Sequence, residues 1–396
     1  MAKVLISLLG TGRAAKGDTD RNRYEIANYV IGDSEYKNES FVSSAIIKHY
    51  KIDKLFLIGT KGSMWDEIAN LFNADDDCYA AILERKVDTT LSQEDIDKLN
   101  QYIDARLGSV GSKCLIVPDG ENDSEVWQTF ELFYGLFDLL NSGDKLYFDI
   151  THGFRSQSVL SFIMSQFGQT YKNYKIGGIL YGKLINDKPS PIIDLKMYYE
   201  FLEWSKAIKN LRNYGNGSDL KKMIEASGES QEIKNAIVDF TNALSIADIG
   251  AMQSSIKVLK GKIKLFEQSN NPIMKIVSVE LLRFTEEFGA DEPLSRFLFK
   301  LTKWYANNSN YAMAYLVLSE AVVSAVREHE CLADTTEGNK LAKMSIYRKK
   351  EISKIYRKVS AIRNNIAHKT AHQVSLSKSI NEYKYYYDAL KKIYEV

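Results

Sequence analysis

The chain has few of the features that a disulfide framework, a metal centre or a membrane span requires. Its 396 residues include three widely separated cysteines, Cys78, Cys114 and Cys331, with no Cys-x-x-Cys pair. No group of His, Cys, Asp and Glu residues has metal-ligand spacing. The first apolar run, Val4–Leu9, is too short for a signal peptide, and Tyr311–Val326 is interrupted by polar residues. These absences predict a cytoplasmic protein without a resident metal or a membrane contact.

The net charge of +1 conceals an asymmetry along the chain. Residues 1–200 carry 22 Lys+Arg and 29 Asp+Glu, a balance of −7, whereas residues 201–396 carry 30 and 22, a balance of +8. A basic half favours a polyanionic partner, although such charge is also typical of a solvated surface. The length is enough for two or three domains with real cores.

The first 190 residues alternate short apolar segments with amphipathic ones. This alternation predicts a doubly wound parallel sheet, with ligands at the carboxyl ends of its strands. Tyr24–Ile31 is predicted to form an extra hairpin strand with Tyr36. The predicted strands are Val4–Leu9, Lys54–Ile58, Cys114–Val117, Lys145–Phe148 and Lys175–Leu180, and the predicted helices are Phe41–Tyr50, Ser63–Phe72, Gln93–Leu107, Glu125–Leu140 and Ser156–Phe167.

Beyond Pro191 the strand pattern stops and apolar residues recur at helical spacing, which predicts an all-α second half. The interpretation divides the chain into an α/β domain at 1–195, a helical connector at 196–290 and a C-terminal helical domain at 291–396. Asn213–Ser218 is a predicted hinge. The predicted helices are Met197–Leu211, Ile233–Ile246, Ile256–Phe266, Ile273–Phe288, Leu294–Tyr305, Tyr311–Val326, Lys340–Ala367 and Ser377–Tyr394.

Four strand-end loops combine glycine with hydrogen-bond donors, as a phosphate-rich ligand would require. They are Gly10–Arg13, Gly59–Ser63, Asp119–Asn122 and Thr151–Arg155. Each loop alone is also compatible with ordinary turn chemistry, and none matches the dinucleotide fingerprint or the P-loop. The convergence of four such loops on one sheet edge favours a binding site.

The same loops resemble the CRISPR-associated Rossmann-fold (CARF) sensor domains of type III CRISPR systems. The resemblance covers about 180 residues and rests on Leu8-Leu9-Gly10-Thr11, Ile58-Gly59-Thr60 with Ser63 and Trp65, Pro118-Asp119-Gly120 with Glu125 and Trp127, and Asp149-Ile150-Thr151-His152-Gly153-Phe154-Arg155. It implies a homodimer that binds a cyclic oligoadenylate across its two-fold axis. The implied ligand contacts are Thr11, Gly12, Arg13, Thr60, Lys61, Ser63, Thr151, His152, Gly153 and Arg155.

Near the end of the chain, Arg363 and His368 stand five positions apart in a basic helical region, with Asn364 between them. A histidine moves protons near neutral pH, and an arginine binds phosphate bidentately. Because RNA supplies its own 2′-OH nucleophile, such a pair can cleave it without a metal. The spacing alone is weak, and a capping or surface histidine is the ordinary alternative.

Arg363-Asn364-x-x-x-His368, after a helix that begins at Asn310-Tyr311-Ala312, resembles the HEPN ribonuclease fold over about 100 residues. That resemblance implies a composite dimer site with Arg363, Asn364 and His368 as catalytic residues. The whole chain is thus predicted to be a cytoplasmic, homodimeric, metal-independent endoribonuclease for single-stranded RNA. Its allosteric activator would be a cyclic oligoadenylate, with no cofactor required.

Two alternatives stay open at this point. In the first, the basic half belongs to a regulator that binds nucleic acid without cutting it, under control of the same ligand. The sensor domain is also a candidate for slow cleavage of its own activator through Thr11, Ser63 and His152, where His152 titrates near neutral pH. His372, His49, His329 and the tyrosine run 383–387 are interpreted as structural or surface residues.

Overall fold

The computed structural model describes residues 1–14, 22–185, 188–245, 248–289, 292–367 and 375–394. These residues form two compact units, Met1–Tyr199 and Glu200–Val396. The first is α/β and the second is helical throughout its described part, as the sequence predicts. His368 and His372 lie outside the described residues.

The first unit contains an eight-stranded, mostly parallel sheet and a separate two-stranded ribbon. The sheet order is β5-β4-β10-β9-β8-β1-β6-β7, in which β9, β8, β1, β6 and β7 run parallel. The strands are β1 (Lys3–Leu9), β2 (Arg13–Ala14), β3 (Asn22–Arg23), β4 (Ala27–Ile31), β5 (Ser34–Glu39), β6 (Lys54–Gly59), β7 (Lys113–Ile116), β8 (Lys145–Asp149), β9 (Lys175–Gly182) and β10 (Ser190–Asp194).

Helices cover the two faces of this sheet and enclose separate apolar cores. One core includes side chains of α1 to α5, and the other includes those of α6 and α7. The parallel strands are buried on both sides, which explains their nearly continuous apolar sequences. The helices are α1 (Val42–Tyr50), α2 (Trp65–Leu71), α3 (Asp76–Val87), α4 (Gln93–Asp97), α5 (Leu99–Leu107), α6 (Asp123–Phe137) and α7 (Arg155–Lys172).

All five predicted parallel strands are confirmed, and so is the hairpin, in which Tyr29 of β4 is paired with Tyr36 of β5. Three details were wrong. The helix predicted at Gln93–Leu107 is two helices, α4 and α5, and helix α3 had no prediction. The strand pattern does not stop at Pro191, because β10 continues through it and pairs with both β9 and β4.

The second unit packs its helices around one apolar core. The predicted helix Lys340–Ala367 is wrong as one element: a break at Lys349, with extended backbone, separates two helices. Of the predicted hinge, 213–218, just residues 215–217 lie between two helices, and the whole stretch belongs to this unit. The helices are α8 (Lys196–Tyr214, which begins in the first unit), α9 (Ser218–Ala226), α10 (Gln231–Ser245), α11 (Ile249–Glu267), α12 (Pro272–Phe288), α13 (Leu294–Asn307), α14 (Tyr311–His329), α15 (Thr336–Arg348), α16 (Lys350–Ala367) and α17 (Leu376–Tyr394).

Helix α14 is the centre of the C-terminal part of this core. Its buried side chains include Tyr315, whose hydroxyl donates to the Ser379 carbonyl at 2.6 Å. Tyr383, Tyr386 and Tyr387 are buried in the same core, which confirms that the tyrosine run mainly packs. No helix in the described part of the chain combines the length and the apolarity needed to cross a bilayer.

Candidate functional site

The strand order predicts a ligand crevice at the carboxyl edge of the sheet. After β1 the chain builds outward through β6 to β7, and then returns to the opposite side of β1 with β8. Ligands of open α/β sheets bind where the strand order reverses in this way. The crevice therefore lies between the loops that follow β1 and β8, beside the loop that follows β6.

Two glycines bring the loops after β1 and β8 together. A Cβ on Gly10 would lie 3.3 Å from the backbone nitrogen of Gly153, so the two loops approach closely only without side chains there. Gly153 has a φ of +82°, a conformation that a residue with a Cβ rarely adopts. The turn 150–154 thus depends on glycine for both its shape and its fit against β1.

A buried polar network fixes the start of the turn after β8. Asp149 is 1% exposed, and its carboxylate accepts hydrogen bonds from the Ser43 hydroxyl at 2.6 Å and the Ser7 hydroxyl at 3.1 Å. It also accepts the backbone N–H of Thr151 at 3.0 Å, while the Thr151 hydroxyl accepts the N–H of Gly182 at 2.8 Å. Asp149 and Thr151 therefore hold the turn by bonds to three neighbouring segments.

His152 lies against aromatic rings at the crevice. Its imidazole is 4.6 Å from the Tyr24 ring and 6.0 Å from the Phe41 ring, measured between centroids. Burial lowers the pKa of His152 from its ordinary value, while the Asp149 carboxylate opposes part of that shift. The structure therefore favours a neutral imidazole at pH 7.

Tyr24 was missing from the sequence-based site. Its hydroxyl accepts from the Gly10 N–H at 3.0 Å and lies 3.1 Å from the Gly10 carbonyl, to which it donates. Burial raises the pKa of this hydroxyl far above its ordinary value. Nothing in the local sequence marks Tyr24, because it reaches the crevice from the segment before β4.

The loop after β6 divides into buried and exposed residues. Ser63 is 1% exposed, and its hydroxyl donates to the Leu9 carbonyl at 2.8 Å and accepts the Thr60 N–H at 2.9 Å. Thr60 is 3% exposed, and its carbonyl accepts from the Trp65 indole at 2.8 Å. Ser63 and Thr60 thus join the loop to β1, whereas Lys61 is exposed.

Lys61 and Arg155 supply exposed positive charge to these loops. Within the described ranges, neither has a carboxylate at ion-pair distance. Arg155 is also the first residue of α7, whose first turn contains no acidic residue. Thr11 is exposed and Gly12 half-buried after β1, and the side chain of Arg13 is outside the described part.

The fourth predicted loop, Asp119–Asn122, differs from the other three. It follows β7, the outermost parallel strand, and two of its backbone N–H groups already have an acceptor. The Glu125 carboxylate accepts from Gly120 N–H at 2.9 Å and Glu121 N–H at 3.0 Å, and these bonds lower the pKa of Glu125. This acidic, self-bonded loop is a poor receptor for an anion.

The candidate site of the helical unit lies on α16. Arg363 is half-buried, and its guanidinium donates to the side-chain oxygen of exposed Asn364 at 3.2 Å. Arg363 and Asn364 are therefore brought together, while their predicted partner His368 lies outside the described residues. Among the residues that the structure describes, no group of three or more His, Cys, Asp or Glu side chains could hold a metal ion.

Comparison with known proteins gives the class of the first unit. Residues 4–189 match the family described as "CRISPR system endoribonuclease Csx1, CARF domain". The mostly parallel sheet and its crevice agree with that match. Residues 4–189 are thus similar to the CARF domains of CRISPR systems.

The second unit and most of the chain are similar to a CRISPR-associated protein of Methanocaldococcus jannaschii. Residues 200–292 match the family "CRISPR-associated protein MJ1674, second domain". The chain is 29% identical to CRISPR-associated protein MJ1674 of Methanocaldococcus jannaschii over 398 residues, which cover 93% of this chain. It spans 62% of the length of that relative.

One solved structure to which this chain is similar is that of Enterococcus italicus Csm6 bound to cyclic hexa-2′-fluoro-hexa-dAMP. The two share 11% sequence identity, with a TM-score of 0.39 over 99% of this chain and 93% of the other. That superposition is too loose to transfer any residue from one chain to the other.

Proposed function

We propose that the chain is an endoribonuclease of type III CRISPR antiviral defence that a cyclic oligoadenylate switches on. The observation that carries the proposal is the pairing of a CARF crevice with an Arg363–Asn364 pair in a separate, basic helical unit. The crevice offers a place for an anionic activator. The Arg363–Asn364 pair offers phosphate recognition close to His368 in the sequence. The substrate is single-stranded RNA, and the reaction needs no metal.

The crevice suits the repeating phosphates and bases of a cyclic oligoadenylate. Lys61 and Arg155 offer charge to phosphates, and the N-terminus of the 18-residue helix α7 favours anions. Thr11, Gly12 and Gly153 offer small or polar surfaces at the same edge, and the His152 ring offers a surface for adenine. In this assignment Thr60, Ser63 and Thr151 shape the loops, because their polar atoms bond to the backbone.

The proposal includes a homodimer, for which α6 and α7 offer a surface. Val159, Ile163 and Phe167 recur every four residues along α7 and are 52–60% exposed. Trp127 of α6 is 66% exposed, and its edge contacts the Phe130 ring. This apolar face, Val126, Trp127, Val159, Ile163 and Phe167, begins beside Phe154 and Arg155 of the crevice. A second copy placed there would present the same loops twice to a cyclic ligand of repeated units.

The chemistry assigned to the helical unit is in-line transesterification. The 2′-oxygen attacks the adjacent phosphorus, the bond to the 5′-oxygen breaks, and a 2′,3′-cyclic phosphate is formed. His368 takes the 2′-OH proton or gives one to the leaving 5′-oxygen, and Arg363 stabilises the charge on the phosphate. Asn364 accepts a hydrogen bond from Arg363 and so orients its guanidinium.

The test is to incubate the purified chain with end-labelled single-stranded RNA, in EDTA, with rings of four or six adenylates. Cleavage is expected with one ring and not with the linear oligoadenylate of the same length. Mass spectrometry of the products should find 2′,3′-cyclic phosphate ends. Cleavage that EDTA abolishes would contradict the metal-independent mechanism.

The same experiment addresses the non-catalytic alternative. A ligand-responsive regulator would bind the RNA more tightly with the activator and leave it intact. RNA binding that responds to the ring, without any product after long incubation, would replace the nuclease by that regulator.

Activator cleavage by the sensor unit stays a prediction. His152 and Thr11 are its candidates at the crevice, and Ser63, the third candidate, bonds through its hydroxyl to the Leu9 carbonyl and the Thr60 N–H. The full chain with His368→Ala and with His368→Ala/His152→Ala should be incubated with the ring for hours. Slow decay in the first protein and none in the second would support cleavage in the CARF domain.

A further inference from the structure

Helix α16 has a basic stripe that the two candidate sites leave unused. Lys350, Lys354 and Arg357 follow one another at spacings of four and three residues, so they share one face of the helix. All three are exposed, and further along that face lie exposed Ala361 and Asn364. The opposite face buries Ile352, Tyr356, Val359 and Ile362 in the core. The stripe is therefore a solvent-facing row that reaches Arg363 through Asn364, because the Asn364 side-chain oxygen accepts a hydrogen bond from the Arg363 guanidinium.

The positive charge of this row is not neutralised by neighbouring carboxylates. In the portions of the helical unit that the structure describes, Lys350, Lys354 and Arg357 have no acidic group at ion-pair distance. Lys349, one residue earlier, shows the contrast, because its ammonium lies 3.3 Å from Glu330. The three stripe residues thus keep their charge for another partner.

An aromatic side chain borders the stripe. The Arg357 guanidinium lies 5.4 Å from the centre of the Tyr347 ring, and its Nε donates to the Ser353 hydroxyl at 3.2 Å. Tyr347 is 45% exposed, and its ring meets the buried Tyr356 edge to face at 5.9 Å. Tyr347 therefore offers an exposed ring, packed against Tyr356, next to cations that have no carboxylate partner among the described residues. This combination is typical of proteins that bind single-stranded nucleic acid.

We propose that this stripe is the track along which single-stranded RNA approaches Arg363. Four residues of helix advance by ~6 Å, comparable to the step between consecutive phosphates, so Lys350 and Lys354 match neighbouring phosphates. Arg357 binds the next phosphate, and the Tyr347 ring stacks on one base. The inference rests on the proposed function, which it deepens by naming how the substrate is held.

The test measures binding separately from cleavage. The full chain is titrated into a fluorescent 2′-O-methyl oligouridine, which cannot be cut because it lacks the 2′-OH nucleophile. Lys350→Ala/Lys354→Ala should raise the Kd about tenfold and lower the slope of log K against log salt by about 1.4, as expected for two lost phosphate contacts. Lys260→Ala/Lys264→Ala is the control, since it removes an exposed lysine pair with the same spacing from α11.

The aromatic part has its own variants. Tyr347→Ala should weaken binding about tenfold at unchanged salt slope, and Tyr347→Phe should restore it, because stacking needs the ring and not the hydroxyl. Equal losses for the stripe and α11 pairs would overturn the proposal. So would dissociation of the dimer by Lys350→Ala/Lys354→Ala, which would make the stripe an interface. Stripe-dependent binding in a protein that cuts no RNA would instead refute the nuclease and keep the track.

Discussion

The two candidate sites are assembled in opposite ways. In the α/β unit, residues 10, 61 and 152 come from segments far apart in sequence and meet at one sheet edge. In the helical unit, Arg363 and Asn364 are neighbours on a single helix, and the stripe before them lies on the same helix. A site built by topology tolerates variation in any one loop but depends on the packing of the sheet. A site built on one helix depends on the spacing of its residues, so an insertion or deletion within that helix would remove it.

The sharpest test of this difference is His368→Ala. A general acid or base typically contributes about 10²–10⁴-fold in rate, and cleavage should fall by that factor. Binding of the cyclic oligoadenylate, measured by calorimetry, should stay unchanged, because the activator binds in the other unit. His372→Ala is the matched control. If both functions fail together in His368→Ala, the two sites are not separable.

The apolar face of α6 and α7 should give the second largest effect. Val159→Asp/Ile163→Asp places two carboxylates on it and is expected to convert a dimer into monomers in analytical ultracentrifugation. Activated cleavage should then drop at least tenfold, because the composite site needs two copies. Val110→Asp, at an isolated position 81% exposed, should do neither. A doubly substituted protein that stays dimeric would place the interface elsewhere.

The crevice cations should shift the activator requirement without changing the maximal rate. Lys61→Ala and Arg155→Ala each remove a charge-assisted bond, for which a rise of about tenfold in half-activating concentration is expected. Lys175→Ala, at the amino end of β9 and thus at the opposite edge, is the control. Unchanged activation in both crevice variants would remove these loops from the ligand site.

The smallest expected effect concerns pH. Because burial lowers the pKa of His152 in the folded state, the unfolded chain binds that proton more tightly, and stability increases with pH in this range. This contribution to stability is complete at pH values above the ordinary histidine pKa of about 6.5. It is lost as the pH falls through that value towards the lower pKa of His152 in the folded state. When the pH is lowered from 7.5 to 5.5, the Tm of His152→Phe should therefore fall less than the Tm of the wild type. An equal loss would mean that His152 is not desolvated.

The two units also differ in how far the sequence could predict them. The parallel strands were predictable because burial on both faces makes them continuous apolar runs. Helix α3 was not, because its apolar residues 78–83 are consecutive and do not recur at helical spacing, and just Cys78 and Ile82 among them are buried. The break at Lys349 depends on a backbone conformation for which the local sequence has no proline or glycine signal.

For the crevice, the sequence predicted the loops better than the roles of their residues. Gly10, Gly153, Lys61 and Arg155 lie in or directly after the loops at the carboxyl ends of their strands, as the sequence predicted. Ser63 has the composition of a ligand contact, but its hydroxyl joins two strand ends, which depends on tertiary distances. Tyr24 enters from a segment that no motif marks. Local composition thus predicts which chemical groups are present, whereas packing decides which of them face a ligand.

The contact between Gly10 and Gly153 has a consequence for motion. Backbones that meet without intervening side chains cannot separate by a simple rotamer change, so the loops after β1 and β8 should open as one body. The amide of Gly10 is bonded to Tyr24 and that of Thr151 to Asp149, and both bonds would break in the same event. In hydrogen exchange the two amides should therefore share one protection factor, and an activator that holds either loop should slow both.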